Sequence, residues 1–409
     1  MRRSRGQPLR ADQPVHDASR ALELSADRQS ALPRRMRVGF VYLGEPHHLF
    51  HTAPVACALR AERPDLEIVL LVLDPGHVAL LRDVEKAYGI DEPLPIEILR
   101  EPRWARWLRL ATRRRRPLKV AALRAQRGRF ESFAAIIAAE RTSARIKALS
   151  RAATRLIHIP HGAGDRAAGF DRRIADFDFV ITAGVKDARR MLAERLIRPG
   201  SYAISGYVKR DLIRRMSRGP LPLFRNARPV VLYNAHFDAR VSSWKGCARE
   251  VIRQFATQDR FNLVVAPHVK LFADASRRER SAWEKRAVPD KILIDLGSER
   301  SIDMTYTSAA DIYVGDASSQ AYEFAMRPRP CVFLNDLGAA WRGSPNYRHW
   351  RMGEVVDGVH ELMPALQRAG ETFPRYRGTQ EVFVLEALGA YDGRAPRRAA
   401  EAIARYLGV

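Results

Sequence analysis

The segment Asp311-Ile-Tyr-Val-Gly-Asp-Ala-Ser-Ser-Gln-Ala-Tyr-Glu323 decides both the fold and where to look for a site. It predicts a short buried strand, a tight turn with two serines, and the start of a helix. Such a helix start offers unpaired backbone N–H groups and the positive end of a helix dipole, which favour phosphate. We therefore predict phosphate binding by Ser318 and Ser319, with Asp316 beside them. Glu323, one helical turn after Ser319, would accept hydrogen bonds from a ribose. The alternative is an ordinary serine-capped turn.

Apolar runs of the same kind recur along the chain and alternate with segments typical of helices. The runs are continuous, which is typical of parallel strands covered on both faces. The sequence therefore predicts an α/β fold with two Rossmann-like domains facing a cleft. The predicted strands are 37–43, 68–73, 134–137, 156–159, 179–182 and 202–205, followed by 229–234, 262–266, 291–295, 311–315 and 330–334. Helices are predicted at 244–257, 318–326 and 395–406.

Composition shifts predict the domain boundaries. Residues 1–35 are polar, arginine-rich and without a sustained period or an apolar h-region, so they predict a disordered basic tail rather than a secretory signal. Proline and glycine cluster at Gly219–Pro222, a predicted linker. We expect an N-terminal acceptor domain at 36–218 and a C-terminal nucleotide-binding domain at 219–394. A last helix within 395–409 would pack back on them.

Several function classes are disfavoured by the 409-residue sequence. It contains no run of 18 apolar residues, so we expect no membrane span. Its three cysteines, Cys57, Cys247 and Cys331, are far apart and predict buried thiols in a reducing, cytoplasmic setting. No ligand spacing predicts a metal. The lack of a Walker loop and of G-x-G-x-x-G argues against a P-loop ATPase and a dehydrogenase.

The net charge of +24 favours an anionic partner. Residues 100–129 hold twelve arginines and lysines against one acid, Glu101. A basic helix with interfacial tryptophans suits an anionic membrane surface, where each basic residue contributes roughly 1 kcal/mol. A solvated face and a nucleic-acid patch are the alternatives, although no aromatic-rich recognition module predicts a specific nucleic-acid partner. The predicted membrane patch consists of Trp104, Trp107, Arg103, Arg106, Arg113 and Arg114.

Histidines follow several predicted strands, at the sheet edge where ligands bind in open α/β folds. His161 lies in a sharp turn between Pro160 and Gly162, and His268 follows a strand that ends at a proline. An imidazole there would act as a general base or, when charged, stabilise a phosphate. After the first strand, three histidines predict an acceptor-contacting loop, with an ordinary loop as the alternative: His47, His48 and His51.

With these residues in view, the chain resembles the CDP-glycerol glycerophosphotransferase family, of the teichoic-acid polymerase type with a GT-B fold. The resemblance covers roughly 156–335. It rests on the pattern from Ser301 to Glu323, on His161-Gly162 as the family's His-Gly motif, on 206–211 and on His268. The chain departs from the family pattern at Pro160, Val208, Ala266 and Ala317.

The resemblance implies transfer of glycerol phosphate, or a similar polyol phosphate, from a CDP-activated donor to a hydroxyl of a cell-envelope glycan or lipid-linked acceptor, with release of CMP. It implies no cofactor besides the donor. The basic segment at 100–129 predicts a cytoplasmic protein that binds peripherally to the inner face of the cytoplasmic membrane. The serine pair would hold the diphosphate and Glu323 the ribose. His161 would take the acceptor's proton, while His268 and Lys270 would offset charge on CMP. A GT-B glycosyltransferase using a nucleotide sugar and a non-enzymatic nucleic-acid-binding protein are the alternatives.

Overall fold

The structure is a computed structural model that describes residues 35–112, 118–149, 153–216 and 222–409. The predicted tail up to residue 34, the predicted linker at 219–221, and Arg113 and Arg114 lie outside the described residues. The linker and both predicted domain boundaries near it therefore stay predictions.

Two all-parallel sheets form the framework of residues 37–409. The first has the order β3-β2-β1-β4-β5-β6-β7, and the second has the order β10-β9-β8-β11-β12-β13. The first sheet consists of β1 (Arg37–Tyr42), β2 (Glu67–Val72), β3 (Ile96–Ile98), β4 (Ala135–Ala138), β5 (Arg155–His158), β6 (Phe179–Thr182) and β7 (Tyr202–Ile204). The second consists of β8 (Val230–Asn234), β9 (Asn262–Val265), β10 (Ile292–Ile294), β11 (Ile312–Gly315), β12 (Cys331–Leu334) and β13 (Glu354–Val356).

All eleven predicted strands are present, and the continuous apolar runs of most of them are buried between layers of helices; β7, an edge strand, is only half-buried and ends on the exposed Ile204. The central strands β4, β6, β9, β11 and β12 are buried along their whole length. Strands β3 and β13 were not predicted. Each is an edge strand of three residues that carries a glutamate and is half-buried, so neither forms a continuous apolar run.

Helices connect the strands and cover both sheets. In the first half they are α1 (Leu49–Glu62), α2 (Val78–Ala87), α3 (Arg103–Ala111), α4 (Lys119–Ala125), α5 (Arg127–Phe130), α6 (Arg145–Leu149), α7 (Val185–Ala193) and α8 (Val208–Met216). In the second half they are α9 (Trp244–Ala256), α10 (Arg277–Glu284), α11 (Thr305–Ala309), α12 (Gln320–Ala325), α13 (Leu362–Thr372), α14 (Pro374–Leu388) and α15 (Ala395–Leu407). The three predicted helices correspond to α9, α12 and α15.

The last helix returns to the first half of the chain, as predicted. Helix α15 packs against α1 and α8, and its buried face is rich in alanine. Arg397 pairs with Glu62 of α1 at 3.0 Å, and Arg155 donates a hydrogen bond to the carbonyl of Tyr406. The C-terminal segment therefore ties the second half of the chain to the outside of the first sheet.

The strand order fixes where each half can bind a ligand. In both sheets the order reverses at the first strand: between β1 and β4, and between β8 and β11. Turns that leave the carboxyl ends of such neighbouring strands diverge and open a crevice. The predicted site residues follow β1, β5, β9 and β11, so the topology places them at these two crevices.

Candidate active site

Five imidazoles meet between the two halves. The His48 and His161 ring centroids are 4.1 Å apart, and those of His47 and His161 are 5.2 Å apart. His47 also lies 6.3 Å from His268, whose ring is 5.4 Å from His236. The first three histidines follow β1 and β5, and the last two follow β9 and β8. The structure thus brings together His47, His48, His161 and His268, which the sequence identified separately.

Two glutamates and a lysine form a connected group of charged side chains next to His48. His48 Nδ1 lies 2.9 Å from Glu140 Oε1, and Lys119 Nζ donates to Glu140 at 2.7 Å and to Glu45 at 3.2 Å. Burial alone would raise the pKa of Glu45, but the charges of Lys270 and Lys119 hold it well below its usual range. Both carboxyl groups are therefore ionised. Glu140 and Lys119 were not predicted as site residues because neither belongs to a local motif.

His161 is held in the state that a general base requires. Its Nδ1 lies 3.2 Å from the carbonyl oxygen of Ala139, which can only accept, so Nδ1 carries the proton. Burial, together with the charges of the nearby His48, His51 and Lys270, lowers the pKa of His161 well below its ordinary value. The ring is therefore neutral at pH 7, and its Nε2 presents a lone pair.

Ser319 lies directly against the loop that carries His161. A Cβ atom at Gly162 would lie 3.2 Å from Ser319 Oγ, and one at Gly164 would lie 3.2 Å from Ser319 Cβ. Gly162 also has a φ of +75°, which side-chain-bearing residues rarely adopt. Two glycines thus allow the turn after β5 to approach the turn after β11, and the predicted meeting of the two halves is present.

A cavity of about 170 Å³ lies at this junction. It is lined by His161, Ser319, His268 and Lys270 from the predicted set. Its wall also includes Arg141, Arg166 and His236, which the sequence analysis did not identify. Each of these three residues lies in a loop after a strand, and no motif around it identifies it as a site residue. The cavity is therefore cationic, with contributions from both sheets.

Two further ring nitrogens near the cavity have no partner of their own. His47 Nδ1 and His48 Nε2 are buried, and neither finds a hydrogen-bond partner among the residues that the structure describes. Burial lowers the pKa of His47 well below its ordinary value, with help from the neighbouring His48. A buried polar atom without a partner is costly unless a ligand satisfies it. The predicted acceptor contact by these two histidines stays a prediction with this added support.

His51 differs from its two neighbours. It lies within α1, is 5% exposed, and its ring packs edge-on against Tyr207 at 5.4 Å. The prediction that it lies in an acceptor loop is wrong, because α1 begins at Leu49 and turns the side chain into the interior. Its role is to pack beneath the site.

The serine turn is held by Asp316, which does not face the cavity. Its carboxylate accepts hydrogen bonds from the backbone N–H groups of His236, Ser243 and Ala317 and from the Ser243 hydroxyl. Asp316 is 1% exposed, and burial raises the pKa of its carboxyl group. The prediction of a phosphate contact is corrected for Asp316: the side chain joins the turn after β11 to the turn after β8.

Ser318 and Glu323 also point away from the cavity. Ser318 is 1% exposed, and its Oγ accepts from the N–H of Gln320. Glu323 is buried, and its Oε1 accepts from the Tyr207 hydroxyl and from Lys209 Nζ, the latter at 2.6 Å. In this arrangement Glu323 binds the first half of the chain, so the predicted ribose contact has no geometric support. Of the predicted pair, only Ser319 reaches the cavity.

Within the part of the chain that the structure describes, two groups of side chains place possible metal-ligating atoms within 4.8 Å of one another. They are His47, His48 and His161, and Glu45, His48 and Glu140. In the second group Lys119 already forms ion pairs with both carboxylates, so their negative charge is partly neutralised without a metal. The first group coincides with the predicted base.

The four described residues of the predicted membrane patch lie on α3. Trp104 is 61% exposed and Trp107 is 69% exposed, with Arg103 and Arg106 exposed beside them. Only Ala105 of this helix is buried. Trp104 also lines a groove that reaches Glu45. Among the described residues, no helix is long and apolar enough to cross a membrane.

Comparison with solved structures confirms the GT-B-like fold of two parallel-sheet domains. The wall teichoic acid polymerase TagF superposes with a TM-score of 0.59 at 13% identity, over 92% of this chain and 89% of that chain. S. aureus MnaA, solved with UDP, superposes with a TM-score of 0.59 at 15% sequence identity, over 91% of this chain and 97% of that chain. A putative UDP-N-acetylglucosamine 2-epimerase from Listeria monocytogenes superposes with a TM-score of 0.61 at 12% sequence identity, over 92% of this chain and 97% of that chain.

The family comparison is more specific. Residues 249–405 match the model of the CDP-glycerol:poly(glycerophosphate) glycerophosphotransferase family. This match confirms the family resemblance and the predicted enzyme class, a transferase of the CDP-glycerol glycerophosphotransferase type. It covers β11, the serine turn and His268, but not His161. No curated protein matches the sequence.

The approach of the two turns leads to a first prediction. Gly162→Ala forces an L-residue into a positive φ and crowds Ser319, so we expect unfolding free energy to fall by about 1 kcal/mol or more. Transferase activity should fall with it. Urea unfolding and initial rates would measure both. Gly169→Ala is the matched control, because nothing lies within 4 Å of its Cβ position. Equal stability of the two variants would contradict the close approach.

Proposed function

We propose that this protein transfers a glycerol-phosphate or similar polyol-phosphate unit from a CDP-activated donor to a hydroxyl group of a cell-envelope glycan or lipid-linked acceptor, and releases CMP. One observation carries the proposal: a neutral imidazole from the first half and a serine hydroxyl from the second share a cationic cavity. The family match supports the donor class. The likeness to a wall teichoic acid polymerase, solved in one form after a soak with CDPG, agrees with it.

The donor's diphosphate would lie among the cations of the cavity. Lys270, Arg166 and Arg141 line it, and His268 and Ser319 add further polar contacts. A hydrogen bond between a charged donor and a phosphate contributes about 1.5–3 kcal/mol, so three or four are enough for micromolar binding after association costs. Ser319 takes the role that the sequence analysis gave to the serine pair.

The chemical step follows from the state of His161. The acceptor hydroxyl oxygen attacks the phosphorus that carries the polyol, and its proton passes to His161 Nε2. The bond from that phosphorus to the bridging oxygen breaks, and CMP leaves with the electron pair. Lys270 and His268 offset the charge that grows on the departing phosphate. The backbone carbonyl of Ala139 keeps the ring in the reactive tautomer throughout.

Removal of the imidazole tests the base. His161→Gln should lower kcat by roughly 10²–10⁴-fold, the usual contribution of a general base, while CDP binding stays within a few-fold of the wild type. Release of CMP from CDP-glycerol in the presence of acceptor measures the rate. The matched control is His360→Gln on the exposed surface. Full activity of His161→Gln would remove His161 from the mechanism. Release of UDP from UDP-sugars or of CMP from CMP-sugars, with no CMP from CDP-glycerol, would favour the glycosyltransferase instead.

The pH profile gives a second test of the same residue. A base must be unprotonated, and the pKa of His161 is lowered from its ordinary 6.5 by burial and by neighbouring positive charge. We therefore expect kcat/KM to stay constant as the pH falls through 6.5 and to drop only at more acidic pH. Initial rates from pH 5 to 8 measure this. An acid limb centred at or above pH 6.5 would contradict the assignment.

We also propose that α3 docks the enzyme on an anionic membrane surface, at the inner face of the cytoplasmic membrane. Its exposed tryptophans would enter the interface while Arg103 and Arg106 contact lipid phosphates. The groove beside Trp104 reaches Glu45, so a lipid-linked acceptor held at the surface could extend its polar end toward the histidines.

Vesicle binding tests this surface. Trp104→Ala with Trp107→Ala should weaken binding to phosphatidylglycerol vesicles by about tenfold or more, because a buried large side chain contributes roughly 1.5–3 kcal/mol. Co-sedimentation measures the affinity, with phosphatidylcholine vesicles for comparison. Val382→Ala with Leu385→Ala removes exposed apolar groups elsewhere, on α14, and should leave binding unchanged. Equal loss in both double variants would overturn the assignment to α3.

A further inference from the structure

A buried histidine that the proposed mechanism does not use lies between the two halves. His349 is 1% exposed and belongs to the short 3-10 segment that follows β12. Its Nδ1 lies 2.9 Å from Asp165 Oδ2, and its Nε2 lies 2.7 Å from the carbonyl oxygen of Asp316. Asp165 is four residues after His161, and Asp316 begins the serine turn. His349 therefore spans the gap between the two catalytic turns.

Both nitrogens of this ring face groups that only accept. A carbonyl oxygen has no proton to give, and neither has an ionised carboxylate. Burial opposes ionisation of Asp165, but Lys186 and the hydrogen bond from His349 hold its pKa well below the usual range. Each ring nitrogen of His349 must therefore carry a proton. The geometry requires an imidazolium ion inside the interface.

The surroundings are suited to this charge. Lys186 Nζ lies 2.7 Å from Asp165 Oδ1 and 3.0 Å from Asp187 Oδ1. The Tyr322 hydroxyl also donates to Asp165, at 2.9 Å. Asp165, Asp187, Lys186 and His349 form a neutral set when all four are charged; burial raises the pKa of Asp187, and the charge of Lys186 opposes that rise. Such a set is favourable in the interior only when every member stays paired.

We propose that His349 is a positioning residue: as a buried imidazolium, it fixes the loop of His161 against the turn of Ser319. The role in catalysis rests on the proposed transferase function, whereas the charged state and the connection between the halves do not. A neutral ring would donate to only one of its two acceptors, Asp165 or the Asp316 carbonyl, so the ring would no longer join the two turns and their spacing would become less defined. Catalysis depends on sub-ångström placement of the base, so kcat should fall more than donor binding.

The protonation state can be measured without any substrate. Long-range ¹H–¹⁵N spectra of the full chain, labelled at histidine, would report each ring, and the His349 signal is identified by its absence in His349→Phe. We expect both ring nitrogens of His349 to be protonated at pH 7.5. A neutral ring with one bare nitrogen would overturn the proposal.

The connection can be measured by spin labels on Arg198→Cys and Lys245→Cys, one exposed site in each half, because the three native cysteines are buried. The distance distribution should be narrow in the parent protein and broader in His349→Phe and in the milder His349→Gln. His360→Phe, an exposed histidine, is the matched control. An unchanged distribution in both His349 variants would overturn the proposal.

Kinetics then tests the catalytic part. In His349→Gln we expect kcat to fall by roughly 10²-fold, as for a misplacement of about 1 Å, with CDP affinity within a few-fold of the parent. Wild-type kcat in that variant would remove the positioning role. If the parent itself showed no transfer while the imidazolium and the broadened distances were found, the transferase function would fail and the structural connection would stand.

Discussion

The site depends on one buried polar group, which consists of Asp165 and the three side chains that contact it. Burial of ions is expensive, and removal of one partner from a buried pair costs about 3–5 kcal/mol. Asp165 and Lys186 belong to the first half of the chain, whereas Tyr322 and His349 belong to the second. Asp165 keeps its contacts with Tyr322 and His349 only while the halves face each other in one register. In that register His161 and Ser319 also line one cavity.

The same constraint explains why several charged side chains near the cleft pair with a partner from the other half. Arg166 donates to Asp238 at 2.6 Å, and Lys209 donates to Glu323 at 2.6 Å, so each of these pairs also joins the two halves. Asp316 holds two turns of the second half together. Polar groups in a cleft thus divide into those that close it and those that face the ligand. Spacing along the chain does not distinguish the two.

Sequence patterns were sufficient for the framework and for part of the site. Continuous apolar runs predicted eleven strands, because burial on both faces leaves a local signature. The strand-end rule found His47, His48, His161 and His268. The edge strands β3 and β13 and the partners Glu140 and Arg166 left no such signature. Whether Glu323 faces a ligand or Lys209 depends on residues 114 positions apart, which no local motif encodes.

The cavity's charge accounts for two requirements at once. In the proposed mechanism Lys270, Arg166 and Arg141 would attract a diphosphate, and positive charge near His161, together with its burial, lowers the pKa of that ring. A cationic site without burial would bind phosphate but leave the histidine partly charged and unable to accept a proton. A buried site without cations would keep the base but repel the donor. The histidine cluster meets both requirements, a cationic site and a neutral base, because neighbouring imidazoles disfavour protonation of one another. The net charge of +24 therefore matters less than its placement. The cations that matter follow strands of both sheets, and the buried imidazolium of His349, held between Asp165 and the serine turn, brings those strand ends together.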